Sequence, residues 1–326
     1  MQHIKQIIAI QEDFARIDTF LSKELNLPKN QILGLIKHSL ILINDKICHK
    51  GGIPIKKNDQ ITILNPKQPI KPQKETKTHL DIEIIYEDDD ILILNKPSNL
   101  VVHGAPSVKD ETLVDWLKAK NFTLSNLSGE ERYGIVHRLD KDTTGGIIIA
   151  KNNISHANLS MQLQSKTLGR YYLTIIDCPI KDSIIIECQL GRNPRNRLKM
   201  TKLDHQQSVT SRYSKSLFIP LLTNEQKNIQ LIAVKLFTGR THQIRAHLES
   251  ISRHIIGDQT YGYHGNFKGR ILLHAYLIYL IHPTTKKNLL FKASIFDDML
   301  EFLETNFGKE KINEILQKPE FLLNIS

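Results

Sequence analysis

The run His137-Arg138-Leu139-Asp140-Lys141-Asp142-Thr143-Thr144-Gly145-Gly146, followed at once by Ile147-Ile148-Ile149-Ala150, decides how this chain is read. Charged and imidazole side chains crowd its first half, between Ile135-Val136 and a block of apolar β-formers. A strand entering and a strand leaving would pin the polar loop at both ends. Loops held on a rigid scaffold are where chemistry is usually placed. The competing reading is a plain surface turn rich in Asp, Thr and Gly, so the rest of the chain has to decide.

With 326 residues, 40% hydrophobic and 24% charged, the chain has the composition of a soluble globular protein with room for two domains. Its formal net charge of +10 favours an acidic partner such as nucleic acid over a small neutral one. Only three cysteines occur, without CxxC spacing. This argues against a zinc site or a disulfide framework and fits a reducing cytoplasm. The first residues lack the apolar core of a signal peptide, and no run reaches membrane-spanning length. A soluble cytoplasmic monomer is the expectation.

The N-terminal part reads as a small basic unit over residues 1–64. Apolar positions predict a helix over Phe14 to Leu25 and, after Pro28, a second helix ending near His38. Ile41 to Ile43 and Ile61 to Leu64 predict strands. Residues 65–78 hold three prolines and four lysines and predict an extended tether that lets the small unit move independently. The large part, 79–326, opens with strands expected at Leu80 to Ile85 and Ile91 to Leu94, split by a solvated turn Glu87 to Asp90. Lys96 follows as a candidate phosphate contact. Helices are expected over Thr112 to Ala119, Ala157 to Leu168 and Asp297 to Phe307, and a strand over Leu173 to Ile176 whose preceding Tyr171 and Tyr172 point to opposite faces.

Two further segments are rich in polar function. Gly191 to Met200 carries Arg192, Arg197 and Lys199 among turn formers, as a phosphate-contacting loop would. After the nearly unbroken apolar strand Ile229 to Phe237 comes Thr238-Gly239-Arg240-Thr241-His242-Gln243-Ile244-Arg245-Ala246-His247, where Thr241 can cap a helix. His242 and His247 are five apart, not the four that puts two ligands on one helix face, so no metal is expected there. An Arg at a helix start is better explained by an anion or a buried carboxylate than by the helix dipole.

These segments resemble known families. Arg16-Ile17-Asp18-Thr19-Phe20-Leu21, Lys37, the Ile41 to Lys46 hairpin and Lys57-Asn58-Asp59 resemble the S4 RNA-binding domain, with Asp45 and Asn58 standing where Gly is usual. The Asp140 loop, Arg170-Tyr171-Tyr172 and Gly239 to His247 resemble the RluA family of pseudouridine synthases, the S4-like start pointing to its large-subunit rRNA synthase D (RluD) branch. The resemblance implies an α+β fold: a central mixed, largely antiparallel β-sheet with flanking helices and a cleft, preceded by a small α+β S4 domain. It implies isomerisation of uridine within RNA, most directly large-subunit rRNA, with no metal and no cofactor. Asp140 is then the catalytic carboxylate, Arg245 the guanidinium that pairs with it and favours its ionised form, and Tyr172 the residue that stacks on the base. Arg138 fills the gap left by the flipped nucleotide. His137, Lys96, Arg192, Arg197, Lys199, Arg240 and His242, with Arg16, Lys37 and Lys46 of the small unit, are the further RNA contacts. Three other readings compete: an RluA-type synthase for another rRNA or a tRNA site, a non-catalytic ribosome-assembly factor, and a glycoside hydrolase using Asp140 with Asp142.

Overall fold

The computed structural model describes residues 4–25, 27, 29–37, 39–64, 78–104, 110–203, 211–318 and 322–323. Pro28, His38 and nearly all of the expected tether lie outside them. The N-terminal elements are β1 (Ile4–Ala9), α1 (Ile17–Glu24), α2 (Lys29–Lys37), β2 (Ile41–Ile43), β3 (Lys46–Ile47) and β4 (Gln60–Leu64), whose strands form one sheet in the order β1-β4-β2-β3. The first helix is shorter than its apolar spacing predicts, because Phe14 exchanges both backbone hydrogen bonds with Ile55 in an isolated bridge. Asn44, Asp45 and Asn58 all take positive φ, at 49°, 65° and 72°, a conformation that Asn and Asp tolerate better than most residues. The expected independence of this unit is opposed by packing. Leu127 and Ala157, from the other side of the tether, join its core around Ile17, Leu21, Ile32 and Leu35.

The remaining strands are β5 (Glu83–Glu87), β6 (Ile91–Lys96), β7 (Thr144–Ala150), β8 (Gly169–Asp177), β9 (Ile184–Arg192), β10 (Met200–Leu203), β11 (Arg212–Asn224), β12 (Ile229–Leu236), β13 (Leu273–Ile281) and β14 (Asn288–Lys292). They build one ten-stranded sheet, β10-β9-β11-β12-β8-β13-β7-β6-β5, with β14 paired to β13. Only β7 and β13 run parallel, so the mixed, largely antiparallel sheet is as expected. Helices α3 (Leu113–Ala119), α4 (Asn153–Ser165), α5 (Gln243–Glu249), α6 (Asp297–Phe307) and α7 (Lys309–Gln317) flank it. None of the described helices is long and apolar enough to cross a membrane.

Both faces of the sheet are covered, and the period-2 alternation of its central strands sorts their side chains between two cores. On one face Ile147, Ile149, Tyr172, Ile232 and Val234 pack with Trp116 of α3 and with Ile244 and Leu248 of α5. On the other, Tyr171, Leu173, Leu231 and Ala233 pack with Met299, Leu303 and Phe307 of α6. Tyr171 and Tyr172 therefore do face opposite ways. The Glu87 to Asp90 turn is not merely solvated: Asp88 accepts hydrogen bonds from the Tyr86 hydroxyl and the Ile91 N–H, and lies 2.8 Å from His282 Nε2.

Candidate active site

One register row positions the site. Lys96 on β6 pairs with Gly145 on β7, Gly145 with Ala275 on β13, Ala275 with Tyr172 on β8, and Tyr172 with Val234 on β12. Adjacent strands lie about 4.8 Å apart, so the exit of the Asp140 loop sits about 10 Å along the sheet from Tyr172. Gly145 is what permits the row. With φ at +107°, any Cβ there would fall 2.4 Å from the Ala275 carbonyl oxygen. At Gly146 the intruding atom would be Cδ1 of Ile278, at 2.7 Å. The glycine pair thus sets the loop against β13, as its position before the isoleucines suggests.

Lys96 is a correction to the expected phosphate contact. Its side chain is fully buried, and Nζ donates to the carbonyl oxygens of Pro97, Leu100 and Lys141 at 2.8, 2.9 and 3.0 Å. Burial pushes its pKa down to about 7, with Asp142 and Asp140 pulling the other way. A lysine tied to Lys141 holds the loop from behind and offers nothing to solvent. Ser98 Oγ adds a bond to the Asp142 carbonyl, and the Thr143 N–H donates to the Asp140 carbonyl. Beside β7, Thr144 Oγ1 lies 2.9 Å from His274 Nδ1, whose other nitrogen is 3.2 Å from the Ala293 carbonyl. Burial lowers the His274 pKa to about 4.

His137 is a second correction. Its ring lies between the Ile148 N–H, which donates to Nε2 at 3.0 Å, and the Arg170 guanidinium, whose Nη1 is 3.0 Å from Nδ1. Burial, reinforced by the Arg170 charge, keeps the imidazole neutral. A neutral imidazole has one acceptor nitrogen, so it satisfies only one of these donors at a time. Its ring nitrogens face inward and its role is to brace the loop. Tyr172 is buried as well. Burial raises its phenol pKa, Arg170 opposes and Asp140 adds to the rise.

Across the cleft, α5 presents Arg245. The expected cap does not form: the residue before the helix is His242, with φ at +52° and no side-chain cap, and Thr241 faces the cleft. Gln243 shapes the turn instead. Its Oε1 accepts from Thr238 Oγ1 and the Arg240 N–H, and its Nε2 donates to Ser216 Oγ and the Lys215 carbonyl. Arg245 is not paired with Asp140. Its Nε and Nη2 donate to the two carboxylate oxygens of Asp258 at 2.6 and 2.8 Å, in a pair whose side chains are 12% and 1% exposed. Its guanidinium carbon stands 4.6 Å from the ring centre of Tyr261, and Tyr261 Oη is 3.1 Å from His242 Nδ1. Burial alone would lower the Arg245 pKa, but the bonds and charge of Asp258, with the Asp140 charge behind them, raise it on balance. Arg245 Nη1 has no partner among the described residues. Asp140, Arg138, Tyr172, Arg240, His242 and Arg245 all line one open cleft together with Leu236, Ile244 and Leu273. Among the described residues no three His, Cys, Asp or Glu side chains gather where they could hold a metal ion.

The sequence profile of RNA pseudouridylate synthases matches residues 90–250, the span holding the Asp140 loop, Tyr172 and Arg245. An uncharacterized RNA pseudouridine synthase of Helicobacter pylori (strain ATCC 700392 / 26695) is 53% identical over 323 residues, covering 98% of both chains. The chain belongs to the RNA pseudouridine synthase family. The ribosomal large subunit pseudouridine synthase D of Zymomonas mobilis is 34% identical over 70% of this chain and 74% of its own length. Among solved structures, human RNA pseudouridylate synthase domain containing 1 shares the fold, with a TM-score of 0.53 at 20% identity over 70% of this chain and 96% of its own.

The other expected RNA contacts lie apart from the cleft floor. Arg192 and Arg197 are exposed at the β9–β10 turn, where Arg192 Nη1 donates to the Arg197 carbonyl. Lys199 is committed: its Nζ donates to Glu249 at 2.7 Å and stands 5.2 Å from the Tyr261 ring centre. In the N-terminal unit Arg16 is paired with Asp18, while Lys37 and Lys46 are exposed. Sequence reasoning missed Asp258, Tyr261, Gln243 and the burial of Arg170. Asp258 and Tyr261 sit in a Gly-flanked cluster that carries every mark of an ordinary turn.

Proposed function

We propose that this protein isomerises uridine to pseudouridine within large-subunit ribosomal RNA. What carries the reading is the convergence of Asp140, Tyr172 and Arg245 from three separate segments on one cleft. The rRNA target draws its support from the printed name of the Zymomonas mobilis relative.

In the reaction the N1–C1′ glycosidic bond breaks, the uracil turns, C5 bonds to the same C1′, and the proton on C5 is lost while N1 gains one. Asp140 supplies the carboxylate at the sugar, either attacking C1′ or taking the 2′ proton, and both routes need an anion. Arg245, held by Asp258, lines the same cleft as Asp140 and stabilises that anion. Tyr172 stacks on the base and assists removal of the C5 proton. Arg138, exposed at the rim, takes the space of the extruded nucleotide, whose unstacking costs a few kcal/mol. Arg192, Arg197, Arg240 and the S4-like N-terminal unit, through Lys37 and Lys46, contribute backbone contacts.

A glycoside hydrolase using Asp142 as partner is not favoured, since Asp142 lies outside the residues that line the cleft. Mapping pseudouridines in rRNA from cells lacking the protein tests the target: loss at specific large-subunit positions is expected, and an unchanged large-subunit map contradicts it.

A further inference from the structure

The cleft continues past Arg138. A second groove shares Arg138, Arg170, Gly239 and Arg240 with it and runs on to Lys166 at the end of α4. Leu163 and Phe237 form part of its apolar side, and among the described residues no Asp or Glu lines it. Its cations raise one another's cost. The Lys166 pKa is lowered by burial and then by the charges of Arg240 and Arg170. Arg170 borders the groove with no carboxylate partner among the described residues. It is 7% exposed, its Nε is buried without a partner among the described residues, and His137 can accept at most one of its N–H groups. Phe237, meanwhile, has the ammonium groups of Lys215 and Lys235 at 5.3 and 5.4 Å from its ring centre. An aromatic shelf fringed by cations is how single-stranded nucleic acid is held without sequence preference.

We infer that this groove is a second nucleotide subsite, holding a phosphate of the RNA strand between Lys166, Arg170 and Arg240 and seating the base of a nucleotide flanking the target against Phe237. This rests on the RNA-isomerase reading, which makes the shared rim at Arg138 the point where the strand leaves the cleft.

The test is binding of a short fluorescein-labelled oligouridylate to the full chain across a salt series. Lys166→Asn keeps the left-handed backbone at this position, where φ is 66°, and removes the charge. It should weaken binding and reduce the slope of log affinity against log salt by about 0.7, the value for one phosphate on a single strand. Phe237→Leu should weaken binding about five-fold with the slope intact, by loss of stacking. Lys181→Ala, exposed beyond the opposite end of β8, should match the unaltered protein. No binding by the unaltered protein, or both groove variants indistinguishable from Lys181→Ala, overturns the subsite. Tritium release from 5-tritiated-uridine rRNA, measured in parallel, separates the two readings. No release with the slope change present refutes the isomerase and leaves the groove an RNA site, whereas release with an unchanged slope refutes the groove alone.

Discussion

Around the cleft, Arg245 is clamped by Asp258 and stacked on Tyr261, and Lys96, behind the loop, is spent on three carbonyls, whereas in the N-terminal unit Lys37 and Lys46 stand exposed. The difference fits the roles proposed for the two regions. A carboxylate that acts on one carbon needs its neighbours aimed within a fraction of an ångström, and buried hydrogen-bonded partners supply that aim. Contacts to a phosphate backbone tolerate mobile side chains, because the attraction is long-range and any phosphate will serve. Substitutions should therefore be severe and specific in the cleft but mild and salt-dependent in the N-terminal unit.

The harshest break is expected at the sheet row. Gly145→Ala forces a Cβ into the Ala275 backbone at positive φ, and should cost about 4 kcal/mol of stability or prevent folding, read as a large fall in Tm. Asp258→Asn should come next. It leaves the buried Arg245 without its charge partner, destabilising the fold by about 3 kcal/mol, and it lets the guanidinium drift, lowering kcat by about 100-fold with KM little changed. A matching rise in KM with kcat unchanged would mean that Arg245 only binds RNA.

A gentler effect should appear with pH. Burial lowers the pKa of His156, His247 and His274 to about 4 in the folded protein, below the ordinary histidine value. Between pH 6.5 and 4 the unfolded chain then binds more protons than the folded one. Stability is fully present above pH 6.5 and falls on acidification through that window, by about 1.4 kcal/mol per pH unit for each such histidine. His274→Asn should flatten the slope by one proton in a Tm-against-pH series, and an unchanged slope would show that His274 is not held neutral. The smallest change belongs to the other region: Lys37→Ala with Lys46→Ala should weaken RNA binding only a few-fold and lower the salt slope, leaving the stability within about 0.5 kcal/mol of the unaltered protein.

How much of this was legible depended on the range of the interaction. Nearly continuous apolar runs such as Ile147 to Ala150 and Ile229 to Leu236 announce buried strands, and α6 spans the residues expected for it. The start Ile4–Ala9 was not recognised as a strand, because its partner Gln60–Leu64 lies more than fifty residues on. The Asp140 loop, Tyr172 and Arg245 stand out through their neighbours in sequence. Their supports do not, since Asp258, Lys96 and Arg170 act through contacts made only in three dimensions. A charge in a sequence does not say whether it faces water. Lys96 and Lys46 look alike as letters, yet one is sealed beneath the loop and the other is solvated.

The most direct measurement is tritium release from 5-tritiated-uridine large-subunit rRNA by Asp140→Asn, with RNA affinity measured on the same preparation. Release at background with affinity unchanged is the expected result, since the isosteric amide keeps the loop and removes only the anion. Appreciable turnover by this variant would contradict the assignment of Asp140 as the carboxylate on which the cleft is built.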